Sequence, residues 1–176
     1  MIKLYKKDGD RLLYWETWED GGKHTMHWGV VGDEGETQAL RSGMFRKADK
    51  AVAEEMARHR QEGYAEIDDE DLQSVVVQYR TETWGDLDDL DKRHGLEELL
   101  NDHLGWTGLG RCDGGSIGSG TMEVCCLVVD ARIGAPVMVR ILEEAGLLEG
   151  AVIARELEDG FEVLHPSDFE GDFSSV

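Results

Sequence analysis

Positive charge is what this sequence has least of. Eighteen lysines and arginines stand against 38 aspartates and glutamates, for a formal net charge of −20 over 176 residues. As a whole, such a chain repels nucleic acid and anionic membranes and attracts basic surfaces. The deficit is uneven. Residues 1–64 hold 11 of the cations and 12 of the anions (net −1), and residues 65–176 hold 7 and 26 (net −19). Asymmetry of that size points to two units with different partners. Long apolar runs are missing too: no stretch of about 18 apolar residues occurs, which argues against a membrane-spanning helix. The opening Met1-Ile2-Lys3-Leu4-Tyr5-Lys6 lacks the apolar segment of a secretory signal. Cysteine is scarce and odd in number, at Cys112, Cys125 and Cys126, which argues for a reduced, cytoplasmic protein over a disulfide scaffold.

Signatures of common chemistries are also missing. The glycine-rich stretch from Gly105 to Gly120 contains no lysine, so it cannot be a Walker phosphate loop. It is expected to join two strands, which excludes a dinucleotide fingerprint. A bent hairpin with positive φ values explains Gly114-Gly115 and Gly118-Ser119-Gly120 better. There is no Cys-x-x-Cys pair, and neighbours Cys125 and Cys126 would face opposite ways on a strand, so zinc is not expected. A thiol nucleophile would need His94 or His103 beside it, and both fall on a leucine-rich helical pattern where packing or solvation is the default. Asp86, Asp88 and Asp89 suit helix capping better than acid–base chemistry. No enzymatic activity, cofactor or metal is expected.

What the chain does have is an aromatic hairpin. Three of its five tryptophans lie between Tyr14 and Val31. Tyr14, Trp15 and Trp18 precede an Asp20-Gly21-Gly22 turn, and the chain returns through Met26-His27-Trp28-Gly29-Val30. Aromatic and β-branched residues favour strands, and the glycines supply the positive φ of a tight turn. Met26, Trp28 and Val30 should share one face, and His27, Gly29 and Val31 the other. Glu36 to Ser42 reads as a third strand. From about Lys47 the period becomes helical, with Ala48, Ala51, Val52, Met56 and His59 on one face and Gly63 as the stop.

Tyr14-Trp15, Trp28-Gly29, Gly32-x-x-Gly35 and the Met44-Phe45-Arg46-Lys47 helix start together resemble the WGR domain. That domain stands beside the catalytic domain of DNA-dependent poly(ADP-ribose) polymerases and occurs in many bacterial proteins. The resemblance covers residues 1–66 and implies an antiparallel sheet with one packed helix that grips DNA ends or nicks. It departs from the pattern at Val30, which stands where the name-giving arginine belongs; an isopropyl group offers a phosphate no donor. Trp28 reads either as a sheet core residue or as an aromatic platform for a sugar or base. Lys23, Arg41, Arg46, Lys47 and Lys50 are the candidate phosphate contacts, Arg46 and Lys47 at a helix start where backbone N–H groups attract anions.

Residues 67–72 read as an acidic, extended linker. Residues 73–165 then read as an acidic ferredoxin-like βαββαβ domain. Its parts are a strand over Gln73–Thr81, a helix from an Asp86 cap to a Gly105 stop, strands near Gly108–Asp113 and Thr121–Asp130, a helix from about Pro136 to Gly146, and a final hairpin turning at Asp159-Gly160. Val124 to Val129 looks buried on both faces. A similar Asp-Gly-x-x-x-Gly-Ser-Gly hairpin resembles ones in small bacterial α+β domains of unknown function. Residues 166–176 read as a loose acidic tail.

The expectation is an α+β, bacterial-type, cytoplasmic protein that works as a non-enzymatic binding module. Residues 1–66 would contact DNA or a partner protein. In the alternative, the protein is an acidic interaction factor of the immunity or antitoxin kind, covering a basic protein surface with residues 67–176.

Overall fold

The computed structural model describes residues 1–41, 45–81 and 87–175. It is a mixed α+β structure in two compact units, Met1–Asp69 with Trp106–Gly108, and Glu70–Gly105 with Leu109–Val176. Asp86, the expected helix cap, lies outside the described residues.

In the first unit, β1 (Ile2–Asp8), β2 (Arg11–Asp20), β3 (Lys23–Val30) and β4 (Glu36–Arg41) form an antiparallel meander in chain order. The aromatic hairpin closes through Gly21 and Gly22, both at positive φ (55° and 77°), the backbone twist that a two-residue turn requires. Helix α1 (Phe45–Gln61) follows. Gly63 ends it as expected: at φ 94° it donates to the Arg60 carbonyl while Tyr64 donates to His59, the paired bonds of a Schellman cap. Ala65 then bridges to Tyr5 through two backbone bonds of 2.7 and 2.9 Å, tying the end of this segment to β1.

Opposed residues of an antiparallel pair share a face. Leu4 faces Trp15, which faces Trp28, while Met26 faces Gln38. Leu4, Trp15 and Met26 are buried, with Trp28, Leu40, Val52, Met56 and Tyr64 packed around them. The apolar stripe of α1 thus covers this face of the sheet. The other face carries Tyr5, Tyr14, Glu16 and His27, all buried.

In the second unit the five-stranded antiparallel sheet has the order β6-β7-β5-β8-β9. The strands are β5 (Gln73–Arg80), β6 (Gly110–Gly118), β7 (Thr121–Val128), β8 (Val152–Leu157) and β9 (Gly160–His165). Helix α2 (Leu87–Trp106) joins β5 to β6, and α3 (Ala131–Glu144) joins β7 to β8. The central strand is therefore flanked by the third and fourth of the βαββαβ set, the split layout expected, with β9 added at one edge. Leu96, Leu100 and Leu104 of α2 and Met138, Ile141 and Leu142 of α3 are fully or nearly fully buried, as are Val75, Val77, Val124, Cys126 and Val128 of the sheet.

Several expectations give way here. Helix α2 does not stop at Gly105; it runs on to Trp106, and Gly108, at φ 67°, takes the left-handed position while Leu109 donates to the Leu104 carbonyl. Helix α3 begins at Ala131, not Pro136, because the Asp130 carboxylate caps it by accepting from the Arg132 and Ile133 amides. Strand β7 is not buried on both faces: Val124, Cys126 and Val128 are inside, but Cys125 and Leu127 are half-buried. The acidic stretch at 67–72 carries a short 3₁₀ turn, Asp69–Asp71. The tail is tied down as well. Gln78 Nε2 donates to the Ser174 carbonyl (2.9 Å), Ser175 Oγ donates to Glu123 (2.7 Å), and Phe173 packs edge-on against Phe161.

Candidate binding site

Between α1 and the sheet of the first unit lies a recess of about 370 Å³. Its floor is Trp15, Met26, Trp28 and Leu40; its wall is the helix face bearing Ala51, Glu54, Glu55, Arg58 and His59. The strand alternation puts the aromatic residues here, and the helical period places Ala51, Glu55, Arg58 and His59 over them. Trp28 is half-buried: its indole packs on the core and lines an open concavity.

The charge at this recess is anionic on balance. Glu36 is directly opposite Trp28 in the β3–β4 register and is exposed. Glu54 and Glu55 line the wall, but each already has a cation: Lys50 at 3.5 Å from Glu54, and Arg58 at 2.5 Å from Glu55. An aromatic floor with carboxylates at its edge suits a cationic or apolar side chain better than a phosphate.

The candidate phosphate contacts do not gather around Trp28. Lys23 and Arg41 hold directly opposed positions in the β3–β4 register, but on the strand face opposite to Trp28 and at the far end of β3. Lys50, its side chain 77% exposed, is paired with Glu54. Arg46 and Lys47 occupy the first turn of α1.

The His59 ring stacks on Trp15 at 5.0 Å and meets Tyr64 edge-on at 4.9 Å. Its Nδ1 is buried without a hydrogen-bond partner among the described residues, Glu62 standing 3.8 Å away. Burial pushes its pKa down, with the Arg58 charge adding to the effect, so the ring is neutral at pH 7.

On the opposite face a polar chain runs through the core. Lys3 Nζ is 3.1 Å from Glu16 Oε2, and Glu16 Oε1 is 2.7 Å from His27 Nδ1. His27 Nε2 is 2.9 Å from the Tyr14 hydroxyl, which is 3.3 Å from the Trp106 carbonyl. A Glu–His–Tyr relay resembles an activated nucleophile in outline. Here the hydroxyl is 1% exposed with its residue, and burial and the Glu16 charge raise the Tyr14 pKa. The phenol therefore stays protonated, and the chain is a satisfied buried network. Trp106 covers it at 5.0 Å from His27, meets Trp18 edge-on at 6.1 Å and is itself 51% exposed.

That network shows why the motif residues stand where they do. A β-carbon on Gly35 would lie 2.3 Å from the Tyr14 oxygen and 2.8 Å from His27 Nε2, and one on Gly29 would lie 3.2 Å from the Tyr14 ring. Two of the glycines that carry the resemblance thus make room for one tyrosine and its hydrogen bond. Sequence reading missed this face, since Glu16 and His27 look like solvent positions on a strand and Trp106–Gly108 is remote in the chain.

Among the described residues no helix is long and apolar enough to cross a membrane. Comparison of the chain with protein-family models, with curated proteins and with solved structures found no match.

Proposed function

We propose that this protein is a non-enzymatic, acidic binding module whose partner is a basic protein. The observation that carries this reading is the make-up of the Trp28 recess, an aromatic floor of Trp15 and Trp28 edged by Glu36, Glu54 and Glu55. A lysine or arginine of the partner stacks on the Trp28 indole while Glu36, opposite it in the strand register, meets its charge. The −19 of residues 65–176 favours the same class of partner and speeds its encounter. The reading carries a cytoplasmic location with it, in keeping with the sparse cysteines.

A second reading keeps the partner suggested by the WGR resemblance, DNA ends or nicks bound through residues 1–66. The opposed Lys23 and Arg41 positions favour it. Glu36 opposite Trp28 and valine at position 30 weigh against it.

The two readings separate in one titration of the full chain, followed by anisotropy at low and high salt. The ligands are a labelled Arg/Lys-rich peptide and intact, nicked and blunt-ended duplexes. The peptide is expected to bind, to weaken as salt rises and to lose affinity with Trp28→Ala. Salt-sensitive binding of nicked or blunt DNA without peptide binding overturns the proposal in favour of DNA.

A further inference from the structure

Two of the three cysteines meet in the second unit. Cys112 of β6 and Cys126 of β7 are directly opposed in register, so both side chains leave the same face of the sheet. Their sulfurs are 3.3 Å apart, about 1.3 Å more than the 2.05 Å of a disulfide bond. Cys125, one residue along, faces the other way and cannot compete from its side of the sheet. The two thiols are not equivalent. Cys126 is fully buried, whereas Cys112 is half-buried and lines an open groove with His94, Glu97, Glu98 and Asn101 of α2.

We propose that Cys112 and Cys126 are a cross-strand dithiol that hydrogen peroxide oxidises to an intrachain disulfide, with Cys112 as the residue attacked first. The groove leads a small neutral oxidant to Cys112, while the Glu98 carboxylate, beside a Glu97 already paired with Arg93, disfavours a bulky anionic one such as glutathione disulfide. In the first step the Cys112 sulfur bonds to one peroxide oxygen, the O–O bond breaks, and the departing oxygen leaves as water. Cys112 becomes a sulfenic acid. In the second step the Cys126 sulfur attacks the Cys112 sulfur, the S–O bond breaks, and a second water carries off the Cys126 proton. Two thiols lose two electrons in all, and the peroxide gains them.

Three features fit this division of labour. The hydrogen bond to Cys112 and burial hold the Cys126 thiol pKa well above its ordinary value, so Cys126 is the poorer of the two thiols to meet peroxide first. The register slips between Cys112 and Gly115, so a bulge directly after Cys112 gives β6 room to close the remaining gap. The Cys112 amide donates to Asn101 Oδ1 at 3.1 Å, which holds this end of the edge strand under α2.

The test treats the reduced full chain with hydrogen peroxide, alkylates it under denaturing conditions and reads intact and peptide masses. The expected product has lost two hydrogens, carries a single alkyl group on Cys125, yields a Cys112–Cys126 linked peptide and returns to three alkylated thiols with dithiothreitol. Cys125→Ser keeps the linkage, and Cys112→Ser abolishes it. Three alkylatable thiols after peroxide, linkage through Cys125, or a Cys112 that proceeds to sulfinic acid without pairing overturns the proposal.

Discussion

Gly108 lies so close to the Tyr14 ring that a β-carbon on it would sit 2.4 Å from the ring's Cδ1. The same glycine holds φ at 67°, and its carbonyl accepts a 3.0 Å hydrogen bond from the Tyr5 hydroxyl. One residue thus ends a helix and seats the aromatic core of the first unit. Gly105, three residues earlier and inside that helix, has nothing within 4 Å of where its β-carbon would be.

These two glycines should respond oppositely to alanine. Gly108→Ala adds a left-handed strain to a steric one and should cost about 2–4 kcal/mol. Gly105→Ala removes unfolded-state freedom from a helical position and should add about 0.5–1 kcal/mol. Urea midpoints at unchanged slope measure both. Equal behaviour of the two variants would contradict the placement of Gly108 against Tyr14.

The buried polar chain makes a second prediction. Glu16 is 4% exposed and bonds both Lys3 and His27. Glu16→Ala leaves a largely buried lysine and an imidazole without their acceptor, and should cost about 3–5 kcal/mol. Lys50→Ala, at a side chain 77% exposed, should change stability by less than about 0.5 kcal/mol. Denaturant unfolding of both variants checks the contrast. A small effect at Glu16 would mean that solvent reaches the Glu16–His27 pair.

Legibility of the chain followed how local each cause was. Gly63 and the Gly21-Gly22 turn could be read because a helix stop and a tight turn depend on a few adjacent residues. Gly105 and Gly108 are equal candidates for a stop by that local rule, and the Gly108 contact with Tyr14, 94 positions away, is invisible to it. Pro136 suggested a first helical turn, yet the Asp130 cap six residues earlier starts α3. The alternation of Trp28 with His27 predicted two faces correctly. It could not say that the polar face would be covered too, because Glu16 and His27 are buried by satisfying each other. The Trp28 recess was half legible: the tryptophan stood out, but the carboxylates around it come from β4 and from α1. Cys112 and Cys126 could be paired only once the register of β6 on β7 was known.

His59 gives the fold a pH dependence. Its ring, with its side chain 13% exposed, has a folded-state pKa below the unfolded value of 6.5 because burial disfavours the cation. As pH falls the unfolded chain therefore binds the proton first. The contribution is complete above about 6.5 and is lost as pH drops through the lower folded value. His59→Phe keeps a ring against Trp15 and Tyr64 but does not titrate. Urea midpoints from pH 8 to pH 5 should fall more steeply for the wild type than for this variant. Parallel curves would show that His59 is protonated equally in both states.

The sharpest test of the partner concerns Val30. It lies two residues from Trp28 on the same face of β3, opposite Leu13 and half-buried, so an arginine there can reach solvent with a cost of about 1 kcal/mol. On that face its diagonal neighbour across the β3–β4 pair is Glu36, the residue opposite Trp28. Diagonal cross-strand positions lie about 7–8 Å apart, within reach of a long side chain. The guanidinium of Val30→Arg should pair with Glu36, leaving DNA affinity and its salt dependence unchanged while weakening binding of a basic peptide. The nucleic-acid reading predicts something else: one added phosphate contact steepens the slope of log K against log salt by about 0.9 on duplex DNA, and Trp28→Ala cancels the gain. Anisotropy titrations of Val30→Arg, Trp28→Ala and the double variant against nicked DNA and a basic peptide distinguish the two. A steeper salt slope that needs Trp28 would move the binding site of this recess from proteins to DNA, with valine at position 30 as the residue that had kept DNA out.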